Sequence, residues 1–314
     1  MDVLEALLDG PRARGAFLLK AVVDPPWGIK VEDESPLTVL AIVRGSAWIW
    51  HEDGVPTQLE AGDVAIARGP DHYVVADDPE TVPDVVVYPG QQCTSIADGR
   101  LLVDEWSLGV RTWGTSPDGE TVMFIGSYER AGELSRPLLS ALPPLVTLPR
   151  REWDSPLVPI LAAEITRDDP GQRALLDRLL DVLLISALRT WFTRQRDDAP
   201  NWYRAQRDPV VGKALQLLHH HPAHPWTVAS LAEQAGASRA AFARRFAELV
   251  GEPPMAYLTS WRLAMAADLL CRPDMTIGAV ARQVGYGTAF ALSAAFKRER
   301  GISPQEHRAL ADVA

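Results

Sequence analysis

The chain has 314 residues, 47% hydrophobic and 23% charged, with a net charge of −10. That balance belongs to folded globular domains, and the length gives room for two of them. No apolar run reaches the ~18 residues of a membrane-spanning helix, the acidic start Met1-Asp2-Val3-Leu4-Glu5 lacks a signal peptide's basic head, and two cysteines, Cys93 and Cys271, exclude a disulfide framework; a reducing cytoplasm is expected, with no membrane partner.

Leu4, Leu7 and Leu8 space an amphipathic helix, and Ala16 to Val23 a strand. From Trp27 to about Tyr128 short β-rich runs alternate with turn residues: Thr38–Val43, Gly45, Ala47–Trp50, the turn Glu52-Asp53-Gly54, then Gly62-Asp63 and Arg68-Gly69-Pro70. Val85–Tyr88 and Val122–Ile125 follow, and strands at this spacing predict a sandwich or barrel. Residues 137–156 hold five prolines and are expected to leave the barrel as a connector. Two helices follow, Val158–Ile165 and about Gln172–Arg194. The second carries leucines 175, 176, 179, 180, 183, 184 and 188 with Trp191, a stripe wide enough to pack on its own barrel and to self-associate. A charged, proline-broken linker, Arg194–Asn201, precedes a helix over Asp208–His221. His219, His220, His221 and His224 cluster there, and a solvated helix end is the expectation over a metal site.

The last third repeats itself. Ser238, Phe242, Phe246, Gly251, Pro254 and Tyr257 recur fifty residues on as Thr288, Leu292, Phe296, Gly301, Pro304 and His307. Each copy predicts a short helix, a tight turn and a longer helix, the pattern of a helix-turn-helix. Residues 209–314 carry 11 Lys+Arg and 8 Asp+Glu, a net +3, so the acidic excess lies entirely in 1–208. Ser238 and Thr288 suit N-caps. Phe242 with Phe246, and Leu292 with Phe296, bury one face of each longer helix. The opposite faces present Ala240, Ala243, Arg244 and Ala247, and then Phe290, Ser293, Ala294 and Lys297.

Two resemblances follow from these residues. Gly62-Asp63-Val64-Ala65-Ile66 with Pro70-Asp71-His72 resembles a cupin, a small jelly-roll barrel, over roughly residues 15–130. Only His72 falls where cupin enzymes place a metal ligand, so neither a metal nor another cofactor is expected. Leu231-Ala232, Gly236-x-Ser238, Gly251-x-x-Pro254-x-x-Tyr257 and Arg262-Leu263, echoed by Val280-Ala281, Gly285-Tyr286, Gly301-Ile302-Ser303-Pro304 and Arg308, resemble the C-terminal domain of AraC/XylS transcription regulators. That resemblance implies two recognition helices held about 34 Å apart by a linker helix, entering successive major-groove segments.

The expected architecture is therefore α+β: a cupin-like sensor over 1–150, a helical layer and dimerisation region over 151–200, and an all-α double helix-turn-helix domain over 201–314. The expected function is sequence-specific transcription regulation, not catalysis. Double-stranded DNA is the expected partner, together with a small-molecule effector; the resemblance also allows a homodimer and contact with RNA polymerase. Candidate DNA contacts are Arg239, Ala240, Arg244, Arg245, Thr288, Phe290, Ser293, Lys297 and Arg298, with Arg244 the base reader. Trp48 and Trp50, two apart on one strand face, and His72 are candidates for the effector pocket. Two alternatives stay open: a metal-dependent cupin enzyme with an accessory DNA-binding domain, and a redox-sensing regulator using Cys93, expected in a loop, which requires a lowered thiol pKa and solvent access.

Overall fold

A computed structural model describes residues 16–51, 54–128, 135–153, 155–195 and 198–311. The expected helix at Leu4–Leu8 and the residues Glu52 and Asp53 lie outside them. The chain divides into two compact units, one carrying the strands and the helices up to Arg194, the other holding the C-terminal helices from Gln195 on together with residues 135–138.

The first unit is built from β1 (Phe17–Val23), β2 (Gly28–Val31), β3 (Leu37–Arg44), β4 (Ser46–His51), β5 (Thr57–Glu60), β6 (Val64–Arg68), β7 (Tyr73–Ala76), β8 (Val85–Tyr88), β9 (Gln92–Ser95), β10 (Ser107–Gly109), β11 (Thr112–Gly114), β12 (Thr121–Tyr128) and β13 (Leu145–Leu148). They form two sheets, ordered β10-β11-β1-β12-β3-β6-β13 and β5-β4-β7-β2-β8-β9. Alternate residues of both sheets, among them Ala21, Leu40, Ile42, Ile49, Ala65, Val75, Val85 and Met123, meet in one filled core.

β3 is buried on both faces from Leu37 to Ile42, which explains why it reads as an unbroken apolar run. Helices α2 (Leu157–Glu164) and α3 (Gln172–Gln195) follow the strands. Leu176, Leu180, Leu183, Leu184, Ala187, Leu188 and Phe192 are the buried stripe of α3. Gly126 on β12 leaves the space in which Leu180 sits, since a Cβ there would lie 2.5 Å from Leu180 Cδ1. Leu175 and Val182, on the other side of α3, stay exposed.

The proline-rich connector does not leave the barrel. After a short helix, α1 (Arg136–Ala141), its Leu145–Leu148 segment pairs antiparallel with β6 and becomes the edge strand of the larger sheet. Pro144 and Pro149 flank this strand rather than interrupt it, which an edge position tolerates. The Gly62-Asp63 turn locks that edge in place. Asp63 is buried; its Oδ1 accepts the Arg150 N–H at 2.6 Å and its Oδ2 the Glu60 N–H at 2.9 Å. Gly62 has φ +95°, and a Cβ would lie 2.6 Å from Arg150 Cδ.

The second unit runs α4 (Asn201–Ala205), α5 (Val211–His220), α6 (Val228–Ala235), α7 (Arg239–Val250), α8 (Pro254–Leu270), α9 (Ile277–Gln283), α10 (Ala289–Arg300) and α11 (Pro304–Ala311). Among the described residues no helix is long and apolar enough to cross a membrane.

Asp63→Ala removes both acceptors and strands two amide donors, so it should lower unfolding free energy by roughly 2–4 kcal/mol. Urea denaturation checks this; a loss within 0.5 kcal/mol, roughly the scatter of surface substitutions, contradicts the clip.

Candidate nucleic-acid interface

Each repeat builds the same motif from the same local chemistry. In the first, the Thr227 side chain accepts the Ser230 N–H while the Ser230 hydroxyl receives the Thr227 N–H, a reciprocal cap on α6. Gly236, at φ 73°, turns the chain, and Ser238 caps α7 by accepting the Ala241 N–H. In the second, Thr276 caps α9 and Thr288 caps α10, each accepting an N–H at 3.1 Å.

Phe242 and Phe246 are fully buried on α7, as are Leu292 and Phe296 on α10. The outward faces are therefore fixed. On α7, Arg239, Ala240 and Arg244 are exposed, and the Arg244 side chain is 77% accessible with its Nε 3.7 Å from Glu248 Oε1. On α10, Phe290 is 83% exposed, an apolar ring standing in water beside exposed Ala294, Lys297 and Arg298. Ser293 is half-buried and its hydroxyl donates back to the Ala289 carbonyl at 2.8 Å. The Thr288 hydroxyl is occupied as the cap. Arg245, a candidate DNA contact, is tied to Asp208 in the structure, its Nε donating to Oδ2 at 2.8 Å. Position 245 lies between the buried and exposed faces of α7, where a long side chain can fold back onto the body of the domain.

The comparisons agree with this construction. Residues 2–193 match the Cupin family and residues 231–309 the Helix-turn-helix domain family. The chain is 32% identical, over 98% of both lengths, to an AraC-like transcription regulator of Streptomyces lividans. The chain belongs to the AraC family of transcription regulators. It is also 31% identical to the regulator AlkR of Acinetobacter baylyi, over 98% of this chain and 99% of that one. The solved DNA-binding domain of AdpA in complex with target DNA is 33% identical, covering 34% of this chain and 95% of that one with a TM-score of 0.32.

In this AraC-type regulator the barrel candidates separate. Ala47 and Ile49 of β4 belong to the interior core, so Trp48 and Trp50 point to the opposite face of the smaller sheet, half-buried. They do not line the barrel interior. His72 precedes β7 with its Nδ1 3.8 Å from Glu32 Oε1 and its side chain 38% exposed. His51 is the histidine that shares a face with interior Tyr73, across the β4–β7 register. Its Nδ1–H donates to the His72 carbonyl at 2.8 Å, and its buried Nε2 has no partner among the described residues. Alternation with Ala47 and Ile49 was the signal for it. Among the described residues no three His, Cys, Asp or Glu side chains converge as a metal site. Cys93 lies on β9, not in a loop, buried in the core, and burial pushes its thiol up to about 11. Both features oppose the thiolate a redox sensor requires. Cys271 is exposed at the end of α8.

In the histidine run, His220, His221 and His224 are exposed as expected, and His219 departs. His219 is buried, its ring 4.2 Å from that of Trp261 and its Nε2 2.8 Å from the Tyr257 hydroxyl. Tyr257 in turn meets Phe246 edge-on, joining α5 and α8 to the first recognition helix. Burial drives the His219 pKa down to about 3. Only the unfolded chain then takes up the proton below pH 6.5, so stability falls as pH drops from 6.5 toward 3. His219→Gln should remove that dependence. The stability advantage of the natural chain over the variant should shrink by roughly 2 kcal/mol between pH 7 and pH 5 in urea titrations; a pH-independent difference contradicts the buried neutral ring.

Proposed function

We propose that this regulator reads its operator asymmetrically, with α7 supplying polar base recognition and α10 supplying apolar fit and phosphate contact. The observation that carries this is the pairing of two equivalent capped helices whose outward faces differ: Arg244 stands at 77% exposure on one, Phe290 at 83% on the other. Arg suits bidentate contact with guanine, and Arg239 and Ala240 flank it on the same helix. An exposed phenylalanine suits a thymine methyl, while Lys297 and Arg298 suit phosphates. Thr288, whose hydroxyl serves as the cap, places the helix N-terminal amides at the DNA, and half-buried Ser293, whose hydroxyl serves its own helix, contributes shape.

The first unit is read as a sensor acting by binding rather than catalysis, in keeping with relatives named as transcription regulators. A small molecule there controls DNA binding by differential affinity for two arrangements of the protein. Exposed Leu175 and Val182 on α3 supply apolar surface for a second copy, as a regulator of paired half-sites requires. RNA polymerase is the further partner when the bound protein activates.

Arg244→Ala should weaken operator binding by about 1–3 kcal/mol and relax preference at one base pair. Lys297→Ala should instead lower affinity evenly across sequences and reduce the salt slope by about 1. Phe290→Ala should weaken binding and leave that slope alone. Gel-shift titrations over a salt series and a library of operator variants measure all three. An Arg244→Ala protein with unchanged affinity and preference refutes the base-reading role.

A further inference from the structure

The segment that leads into the DNA-binding unit is tied to one recognition helix and not to the other. Asp208, between α4 and α5, has a side chain only 11% exposed. Its Oδ1 accepts the Val210 N–H at 3.0 Å and the Val211 N–H at 2.9 Å, and its Oδ2 accepts the Arg245 Nε–H at 2.8 Å and a second guanidinium N–H. One carboxylate thus caps the start of α5 and grips the middle of α7. Burial alone would raise its pKa, yet the Arg245 hydrogen bond and the two amides outweigh it and hold the group below the usual carboxylate value. Asn201, on α4, reaches the end of the same helix: a Cβ on Gly251 would lie 3.5 Å from its Nδ2. The repeat has no second copy of this tie. Fifty residues beyond Arg245 stands Ala295, buried in the core of the second motif.

We propose that Asp208 is a positioning residue for operator recognition. By holding Arg245 it fixes the rotation of α7 about its axis, and so the direction in which neighbouring Arg244, about 100° around the helix, leaves the surface. Asp208, Ala241, Arg244, Arg245, Glu248 and Leu249 line one cleft of about 300 Å³, so a turn of α7 is felt on both arginines together. The tie also occupies Arg245, whose charge is matched within the protein rather than by a phosphate. Residues 201–208 are the stretch nearest the linker between the two units, and they grip α7. Any force carried by that linker is therefore delivered directly to α7, while α10 receives it through α8 and through the α5–α6 loop, whose Ala223 lies against Gly285. This inference rests on the reading of Arg244 as the base contact.

The test uses the full-length protein and the operator mapped by footprinting. Asp208→Asn keeps an oxygen to accept the Val210 and Val211 amides while removing the anion that holds Arg245. It should lower specific affinity by about tenfold and blunt preference at the base pair read by Arg244, with the salt slope unchanged. Arg245→Gln should give the same loss, and the double variant should be no worse than either single one. Three outcomes overturn the proposal: an Asp208→Asn protein with unchanged operator affinity, even if thermal unfolding shows it destabilised; additive losses in the double variant; or an Arg245→Gln salt slope smaller by about 0.9, which marks Arg245 as a phosphate contact. A natural protein that binds DNA with no operator preference instead overturns the reading of Arg244 itself, and this one falls with it.

Discussion

Arg262, part-way along α8, donates from Nε to the Pro222 carbonyl at 2.7 Å and from Nη2 to the His224 carbonyl at 2.8 Å. Burial pulls its pKa down from the usual guanidinium value. Beside it, Gly285 in the turn of the second motif has φ +84°, and a Cβ there would lie 2.7 Å from Ala223 Cα and 3.0 Å from Arg262 Nη2. The loop between α5 and α6, the linker helix and the second turn therefore meet at one point with no spare volume. Arg308 repeats the device at the far end, donating to the carbonyls of Leu270 at 3.0 Å and Met275 at 2.6 Å. Charge-assisted bonds to carbonyls that the helices themselves leave unpaired are strong, and removing one partner from a part-buried site is costly. Two reading heads that must match successive turns of a duplex need such fixed spacing. Two arginines that mark the family in the sequence thus hold the geometry of the domain.

What the sequence discloses is what is local. The two capped helices and their buried aromatic faces follow from 3.6-residue spacing and from Ser or Thr one residue before each helix. Interactions across long separations are not visible in that way. Asp63 binds the amide of Arg150, 87 residues away, and Asp208 binds Arg245, 37 residues away; nothing in the sequence marks either pair as partners. His219 is hidden by its company, since neighbouring histidines and Pro222 suggest a solvated end, while Tyr257 and Trp261 come from another helix to bury it. Alternation shows that Trp48 and Trp50 share a face but not which face. Small Ala47 with Ile49 wins the interior because the core between two sheets is already crowded by Trp27, Tyr73 and Trp113.

That crowding shapes how the first unit can sense anything. The space between the sheets is filled by side chains, one outer face carries buried α3-facing residues such as Gly126, and the smaller sheet turns Trp48 and Trp50 outward. An effector that enters the interior must displace packed side chains, whose interlocked arrangement changes in steps rather than continuously. His51 Nε2 and Trp27 Nε1, both buried and unpartnered among the described residues, are polar atoms of that interior whose desolvation a hydrogen-bonding group would relieve. Under the proposed ligand control, the cost of opening such a filled core would set a threshold that only a well-fitting ligand overcomes.

Duplication gave the C-terminal unit two equal frames, and the differences between them divide the labour. Position 244 is Arg where 294 is Ala, position 240 is Ala where 290 is Phe, and position 245 is a tethered Arg where 295 is a core Ala. Each of these three exchanges moves in the same direction: a long polar side chain and attachment to the chain's leading segment fall on α7, and an exposed apolar ring falls on α10. A helix that reads by hydrogen bonds loses its advantage when its angle drifts, because bidentate contacts tolerate little misalignment. A helix that presents an aromatic ring tolerates more, since apolar contact is non-directional. It follows that the helix needing exact orientation is the one gripped by Asp208 and packed through Phe246 on Tyr257. The helix without that grip carries contacts that survive a small rotation.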